Sequence, residues 1–154
     1  MTGPAERLAA LGLTLPPVVA PLAAYVPAVL VGGFVYTSGQ LPMVDGKLPA
    51  AGKVGGEVSA EEAAGLARTC ALNAIAAAAA AAGGLDAISR VVKVTGFVAS
   101  APGFSGQPQV INGASELLIE VFGDDGRHAR SAVGVAELPL NSPVEVELIA
   151  QIRS

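Results

Sequence analysis

The chain has 154 residues, with nine Lys and Arg against 13 Asp and Glu, one Cys and one His. A chain of this length can bury a core without disulfides or a structural metal, and a single Cys allows no internal disulfide. Hydrophobic residues make up 52% of the chain but aromatic residues only 4%, so much of the apolar count is Ala. The net charge of −4 and the scattered basic residues argue against a nucleic-acid-binding surface.

No segment is predicted to cross a membrane. The richest apolar run, residues 70–82, is shorter than the roughly 20 residues that a span needs. Near the N-terminus, Pro16, Pro17 and Pro21 interrupt the apolar stretch in which a signal peptide would need an unbroken hydrophobic region. We therefore expect a cytoplasmic protein.

The first elements are predicted to be a short helix and a hairpin. Residues 5–11 favour a helix that ends at Gly12, and a Pro-rich segment follows. Two β-prone runs, residues 29–31 and 34–38, flank Gly32-Gly33, a typical hairpin connection. The Gly-dotted loop after them allows a second small hairpin at Asp45-Gly46.

The second half of the chain alternates helices and strands. Ser59-Ala-Glu-Glu62 is a capping box, which predicts a helix that runs to about Ala82 and is stopped by Gly83-Gly84. Further on, the patterns predict a strand over 90–100, a helix over 107–122 and two closing strands over 130–137 and 144–152.

The order ββ-α-β-α-ββ predicts an α+β domain, with a mixed sheet and two main helices packed on one face. The last strand alternates between an apolar face and a face that carries Glu145 and Glu147. A partly polar sheet face without helices is either solvated or an interface between subunits, and we favour the interface.

Several site classes are excluded. One His and one Cys cannot supply a zinc site, and the chain has no dinucleotide-binding loop, P-loop or nucleophile elbow. A Ser-His-Asp arrangement would need His128 with Asp124 or Asp125, but a His in such a turn is expected to be exposed. Cys70 lies within the long predicted helix and is expected to be a small core residue.

Arg130 and Glu145 are the candidate functional pair. Their simplest interpretation is a solvated ion pair on the sheet. If the two closing strands formed a hairpin, Arg130 would lie opposite about Ile152, and Glu145 about seven residues, or roughly 23 Å, along the ladder. They can therefore meet only if the strands are not hairpin partners or if they come from different subunits.

The segments around these residues resemble the Rid family (reactive intermediate deaminases, also called the YjgF or L-PSP endoribonuclease family). One matching segment runs over residues 128–147, from Ala-Arg-Ser through Leu-Pro to Val-Glu-Val-Glu. The other combines Tyr25 with Phe34-Val-Tyr-Thr-Ser-Gly-Gln-Leu-Pro42, and the spacings within both segments agree with the family. The resemblance covers about residues 21–152.

The resemblance implies a chorismate-mutase-like fold and a homotrimer with clefts between subunits. It also implies hydrolysis of 2-imino or enamine acids to 2-keto acids and ammonia, without a metal or other cofactor. On this view residues 1–20 are an N-terminal leader, with a short helix and a Pro-rich segment, and residues 21–154 are a single Rid-like domain.

The resemblance also assigns the site. Arg130 is expected to hold the substrate carboxylate and Glu145 to act as the acid/base for water, as the two catalytic residues. The expected substrate-binding residues are Tyr25, Ser38, Gly39, Asn112 and Ala132. Ala132 stands where active deaminases often carry Cys, so only its backbone can contribute.

Two alternatives stay open. The chain could be a trimeric binder of small carboxylate metabolites without turnover. It could also be an endoribonuclease, which ranks last because the chain is acidic and lacks a His pair or a metal site.

Overall fold

The computed structural model describes residues 2–154, so Met1 of the predicted leader lies outside the described residues. Within these residues, three α-helices and five strands follow in chain order: α1 Pro4–Ala10, β1 Ala28–Val31, β2 Phe34–Thr37, α2 Ala60–Ala82, β3 Ile88–Ala99, α3 Gln107–Phe122, β4 Ala129–Val135 and β5 Val144–Ile152. The predicted α+β class is confirmed, because the strands form one mixed sheet and α2 and α3 pack on one of its faces.

The sheet has the order β1-β2-β5-β3-β4. The β3–β4 pair is parallel, whereas β1–β2, β2–β5 and β3–β5 are antiparallel. Both closing strands therefore pair with β3 and not with each other. This arrangement leaves β4 at the edge of the sheet, next to α3.

Local capping and turn signals are confirmed. Ser59 Oγ accepts a hydrogen bond of 3.1 Å from the Glu62 N–H at the start of α2, and Gly83 ends the helix in the left-handed region at φ 92°. The second small hairpin is also present, with Asp45 and Gly46 at φ 52° and 76°.

Helix α2 packs through small side chains. A Cβ on Gly113 of α3 would collide with the carbonyl of Ala64, so the two helices need glycine at this close approach. Although α2 is long and apolar enough to cross a membrane, 67% of its apolar window is buried inside the fold, as in the core helix of a globular domain. Its buried Ala residues are Ala63, Ala67, Ala71, Ala74, Ala76, Ala77, Ala78 and Ala79.

The sheet has one covered face and one open face. On β5 the core residues Val144, Val146, Leu148 and Ala150 face the helices, and the alternate residues face the other way. The open face carries apolar side chains that are 43–58% exposed in one chain, namely Val29, Val31, Tyr36 and Val133.

Some predicted boundaries were wrong by one or two residues. β3 begins at Ile88, before the predicted residue 90. β4 ends at Val135, before the predicted Glu137, because its partner strand β3 ends opposite it at Ala99. The first helix also docks on the domain, since Leu8 is 4% exposed within the core cluster.

Candidate functional site

Arg130 lies on the helix side of the sheet. It pairs with Val94, which is buried under the helices, and paired residues share a face. Its Nη1 donates to Asn112 Oδ1 at 2.8 Å and to Ser115 Oγ at 3.2 Å, both on α3. Ala132 lies two residues further along on the same face. We call Arg130, Asn112, Ser115 and Ala132 the arginine half-site.

Glu145 lies on the open face, where β5 pairs it with Phe97. The side chain is half-buried, and no group among residues 2–154 donates a hydrogen bond to its carboxylate. Burial raises the pKa of Glu145 above its ordinary value, and the charge of Glu147 acts in the same direction. A carboxyl with a raised pKa can exchange protons closer to neutral pH than an exposed one.

Gly39 allows the backbone to pass close to Glu145. A Cβ on Gly39 would collide with the Glu145 carboxylate, so only glycine fits without moving that carboxylate. Next to it, Ser38 Oγ donates to the Val26 carbonyl at 2.6 Å, which ties the end of β2 to the segment after Tyr25. We call Glu145, Gly39, Ser38 and Tyr25 the glutamate half-site.

Tyr25 is 46% exposed, and its phenolic oxygen accepts a hydrogen bond of 3.3 Å from the Leu22 N–H. Tyr25 and Gly39 both line a small, partly open cavity, which we call the leader cavity because the chain around residue 20 forms one wall. No charged side chain lines it. The other apolar side chains in its lining are Val19, Ala20, Pro21, Leu22, Pro27, Leu41 and Met43.

One chain does not bring the two half-sites together. Arg130 aligns with Leu148 across β3, three residues from Glu145, and two strand spacings separate β4 from β5. The two Cα atoms are thus roughly 14 Å apart, and the side chains point to opposite faces of the sheet. The interpretation as an ion pair within one chain is therefore wrong, although the strands are not hairpin partners.

His128 was expected to be exposed, and that expectation was wrong. Its ring is half-buried, with Nε2 2.9 Å from Ser115 Oγ and Nδ1 2.6 Å from the Gly126 carbonyl. Burial is the main cause that lowers the pKa of His128, and the charge of Arg130 adds to it. Nδ1 therefore meets a backbone carbonyl and neither Asp124 nor Asp125, so His128 forms no Ser-His-Asp arrangement within residues 2–154.

Sequence reasoning missed Ser115 and His128 as members of the site. The available signal was helical spacing, since Ser115 follows the predicted Asn112 by three residues and lies on the same side of α3. By contrast, Cys70 is fully buried, as expected, and burial raises the pKa of its thiol, which makes it a poor nucleophile.

Comparisons with known proteins agree on one family. The family described as "YjgF/chorismate mutase-like, putative endoribonuclease" matches residues 5–152. Protein TCP17 of Trypanosoma cruzi is 43% identical over 151 residues, which are 97% of this chain and 94% of that protein. Protein Atu1372 of Agrobacterium tumefaciens, a protein of unknown function, is 48% identical over 97% of this chain and 92% of that chain, with a TM-score of 0.89. The TdcF protein of E. coli, solved with bound serine, is 28% identical over 92% of this chain and 96% of that chain, with a TM-score of 0.65.

Proposed function

Because the chain belongs to the YjgF/chorismate-mutase-like family, we propose that it hydrolyses 2-imino or enamine acids to 2-keto acids and ammonia in clefts between copies of itself. The placement of Arg130 and Glu145 on opposite faces of one sheet carries this proposal. A site that needs both residues must take them from two chains. Serine, the ligand of the related TdcF, carries a carboxylate, the group that Arg130 is proposed to bind.

The two half-sites also define how the copies would meet. They are different surfaces of the same chain, so joining them is a head-to-tail contact, which closes into a ring when the rotation allows it. The exposed apolar side chains of the open face, Val29, Val31, Tyr36 and Val133, are suited to burial in that contact. The proposed assembly is a ring of three copies with three clefts.

In each cleft Arg130 of one copy holds the substrate carboxylate. A guanidinium can donate two parallel hydrogen bonds to a carboxylate, which an ammonium cannot do with the same geometry. Asn112 and Ser115 hold one end of the guanidinium in place. The carboxylate is thereby oriented so that the C=N carbon lies toward Glu145 of the neighbouring copy.

Glu145 moves the protons. Its carboxylate accepts a proton from water as the water oxygen bonds to the imine carbon, and it passes that proton to the nitrogen. In the resulting carbinolamine it takes the hydroxyl proton and delivers it to the nitrogen, so that the C–N bond breaks, C=O forms and ammonia leaves. Because imines already hydrolyse in water, positioning and proton transfer supply sufficient catalysis.

The leader cavity receives the side chain of the substrate. It adjoins Gly39, which lies beside the Glu145 carboxylate, and apart from Gln40 and the Tyr25 hydroxyl the side chains of its walls are apolar. The proposed substrates therefore have apolar side chains.

The test couples a pyridoxal-phosphate lyase, which releases the imine, to the purified protein and follows formation of the 2-keto acid. Wild type is expected to accelerate keto-acid release, and Arg130→Ala to abolish the acceleration. The matched control is Arg127→Ala, which removes an exposed side chain that pairs with Asp124 at 3.5 Å. Arg130-dependent binding of 2-keto acids without acceleration would overturn the enzymatic proposal in favour of a binder, and RNA cleavage by nuclease-free protein would favour a ribonuclease.

A further inference from the structure

A continuous run of hydrogen bonds links Arg130 to the turn that follows α3. Arg130 Nη1 lies 3.2 Å from Ser115 Oγ, which lies 2.9 Å from His128 Nε2. His128 Nδ1 lies 2.6 Å from the carbonyl oxygen of Gly126. Ser115 is 8% exposed, so the middle of this run is shielded from water.

When the His128 ring is neutral, the chemistry of the groups fixes the direction of every bond. The Gly126 carbonyl can only accept, so Nδ1 carries the ring proton, and Nε2 of the neutral ring is an acceptor. The Ser115 hydroxyl therefore donates to Nε2. A guanidinium can only donate, so the same hydroxyl oxygen accepts from Arg130. Burial and the Arg130 charge lower the pKa of His128, which favours the neutral ring that these directions require.

The orientation of the guanidinium follows from this arrangement. Both hydrogens of Arg130 Nη1 are engaged, one with Asn112 and one with Ser115. Nε and Nη2 have no partner among residues 2–154. In a guanidinium the Nε–H and one Nη2–H point in the same direction. The free edge of Arg130 can therefore donate two parallel hydrogen bonds to one carboxylate.

We propose that Ser115 and His128 are positioning residues that lock the Arg130 guanidinium, so that its Nε and Nη2 edge is the one that binds the substrate carboxylate. The identity of the ligand as a carboxylate rests on the proposed function, whereas the locked orientation of the guanidinium does not. His128 acts by accepting the Ser115 hydroxyl proton, which keeps the Ser115 lone pairs turned to Arg130. Ser115 is not a nucleophile in this arrangement, because its oxygen is buried and already accepts from Arg130.

The kinetic test compares variants of His128 and Ser115. His128→Leu and Ser115→Ala are each expected to raise KM for the imino acid about tenfold, with kcat changed less than about threefold. His128→Leu removes the acceptor that orients the Ser115 hydroxyl, and Ser115→Ala removes one hydrogen bond that holds the Arg130 guanidinium. His128→Gln places an amide oxygen near the position of Nε2 and is expected to keep KM within about twofold of wild type. Equal effects of Leu and Gln would overturn the proposal.

A second measurement needs no substrate and no activity. In side-chain NMR of the ¹⁵N-labelled full chain, restricted rotation of Arg130 gives separate Nη1 and Nη2 signals. We expect separate signals in wild type and His128→Gln and one averaged signal in Ser115→Ala and His128→Leu. Averaged signals in wild type would overturn the locked orientation even if imine hydrolysis were found, and separate signals would support it even if no hydrolysis were found.

Discussion

Arg130 and Glu145 project from opposite faces of one sheet, two strands and three residues apart along the ladder. Each chain therefore presents a cation with its polar partners on one surface and a half-buried carboxylate on another. If a cleft joins the arginine half-site of one copy to the glutamate half-site of the next, each copy contributes to two clefts. A variant of Arg130 then damages one half of a cleft, and a variant of Glu145 damages the other half.

Subunit complementation tests this arrangement directly. Arg130→Ala and Glu145→Gln are each expected to be inactive alone. The two variants are mixed in equal amounts, unfolded and reassembled. A cleft is then intact where Arg130 from a Glu145→Gln chain meets Glu145 from an Arg130→Ala chain. Random assembly then gives about a quarter of the wild-type keto-acid release per chain.

The control for complementation is each variant taken through the same reassembly alone, which should stay inactive. A mixture that remains inactive, although size measurement shows mixed assemblies, would mean that the site does not combine Arg130 and Glu145 from different chains.

Gly39→Ala is expected to lower kcat with little loss of stability. The new Cβ collides with the Glu145 carboxylate, and the backbone at Gly39 lies outside the left-handed region, so the damage is displacement of the catalytic group. We expect a fall in kcat of about 10- to 100-fold, because a displaced carboxylate loses part of the roughly 10²–10⁴-fold that general acid–base catalysis contributes. Rate assays and thermal unfolding measure the two effects separately.

Gly65→Ala is the matched control for Gly39→Ala. Gly65 lies within α2, and a Cβ there meets nothing within 4 Å. The substitution should stabilise the helix by about 0.5–1 kcal/mol and leave kcat unchanged. Full activity in Gly39→Ala would show that the position of the Glu145 carboxylate does not limit the reaction.

Glu147→Gln is expected to move the acid limb of the pH profile to lower pH. Burial, with the charge of Glu147 added, raises the pKa of Glu145 above its ordinary 4.5, so the carboxylate needed as base is lost at a higher pH than for an exposed Glu. Removing the Glu147 charge lowers the pKa of Glu145, and activity persists further into acid. The measurement is kcat/KM against pH, which reports the free enzyme.

Glu137→Gln is the control for the pH profile, since Glu137 is exposed and paired with Lys53 at 3.1 Å. Its acid limb should coincide with that of wild type. A limb that moves to higher pH in Glu147→Gln would contradict Glu145 as the base.

The sequence predicted those elements whose signals are local. The capping box at Ser59, the Gly32-Gly33 connection and the alternation of β5 each depend on a few adjacent residues. They were enough to predict the α+β order and to place Glu145 on the face without helices.

The face of Arg130 and the role of His128 depend on contacts far along the chain. Arg130 faces α3 because β4 crosses over to pair in parallel with β3, a register that no pattern within residues 129–135 specifies. His128 follows a polar turn and has the local pattern of an exposed residue. It is half-buried because α3 brings Ser115 against its ring.

The leader cavity predicts a preference for apolar substrates. Each methylene of a substrate side chain buried there contributes up to about 0.8 kcal/mol, so kcat/KM is expected to rise about two- to fourfold per methylene along a series of straight-chain 2-imino acids. Leu22→Asp places a charge in the cavity wall at a side chain that is 55% exposed, so folding should be unaffected. In this variant kcat/KM is expected to rise less with each added methylene than in wild type. In Leu11→Asp, at an exposed position that does not line the cavity, the rise per methylene should equal that of wild type. Equal slopes in Leu22→Asp and wild type would show that the substrate side chain lies elsewhere.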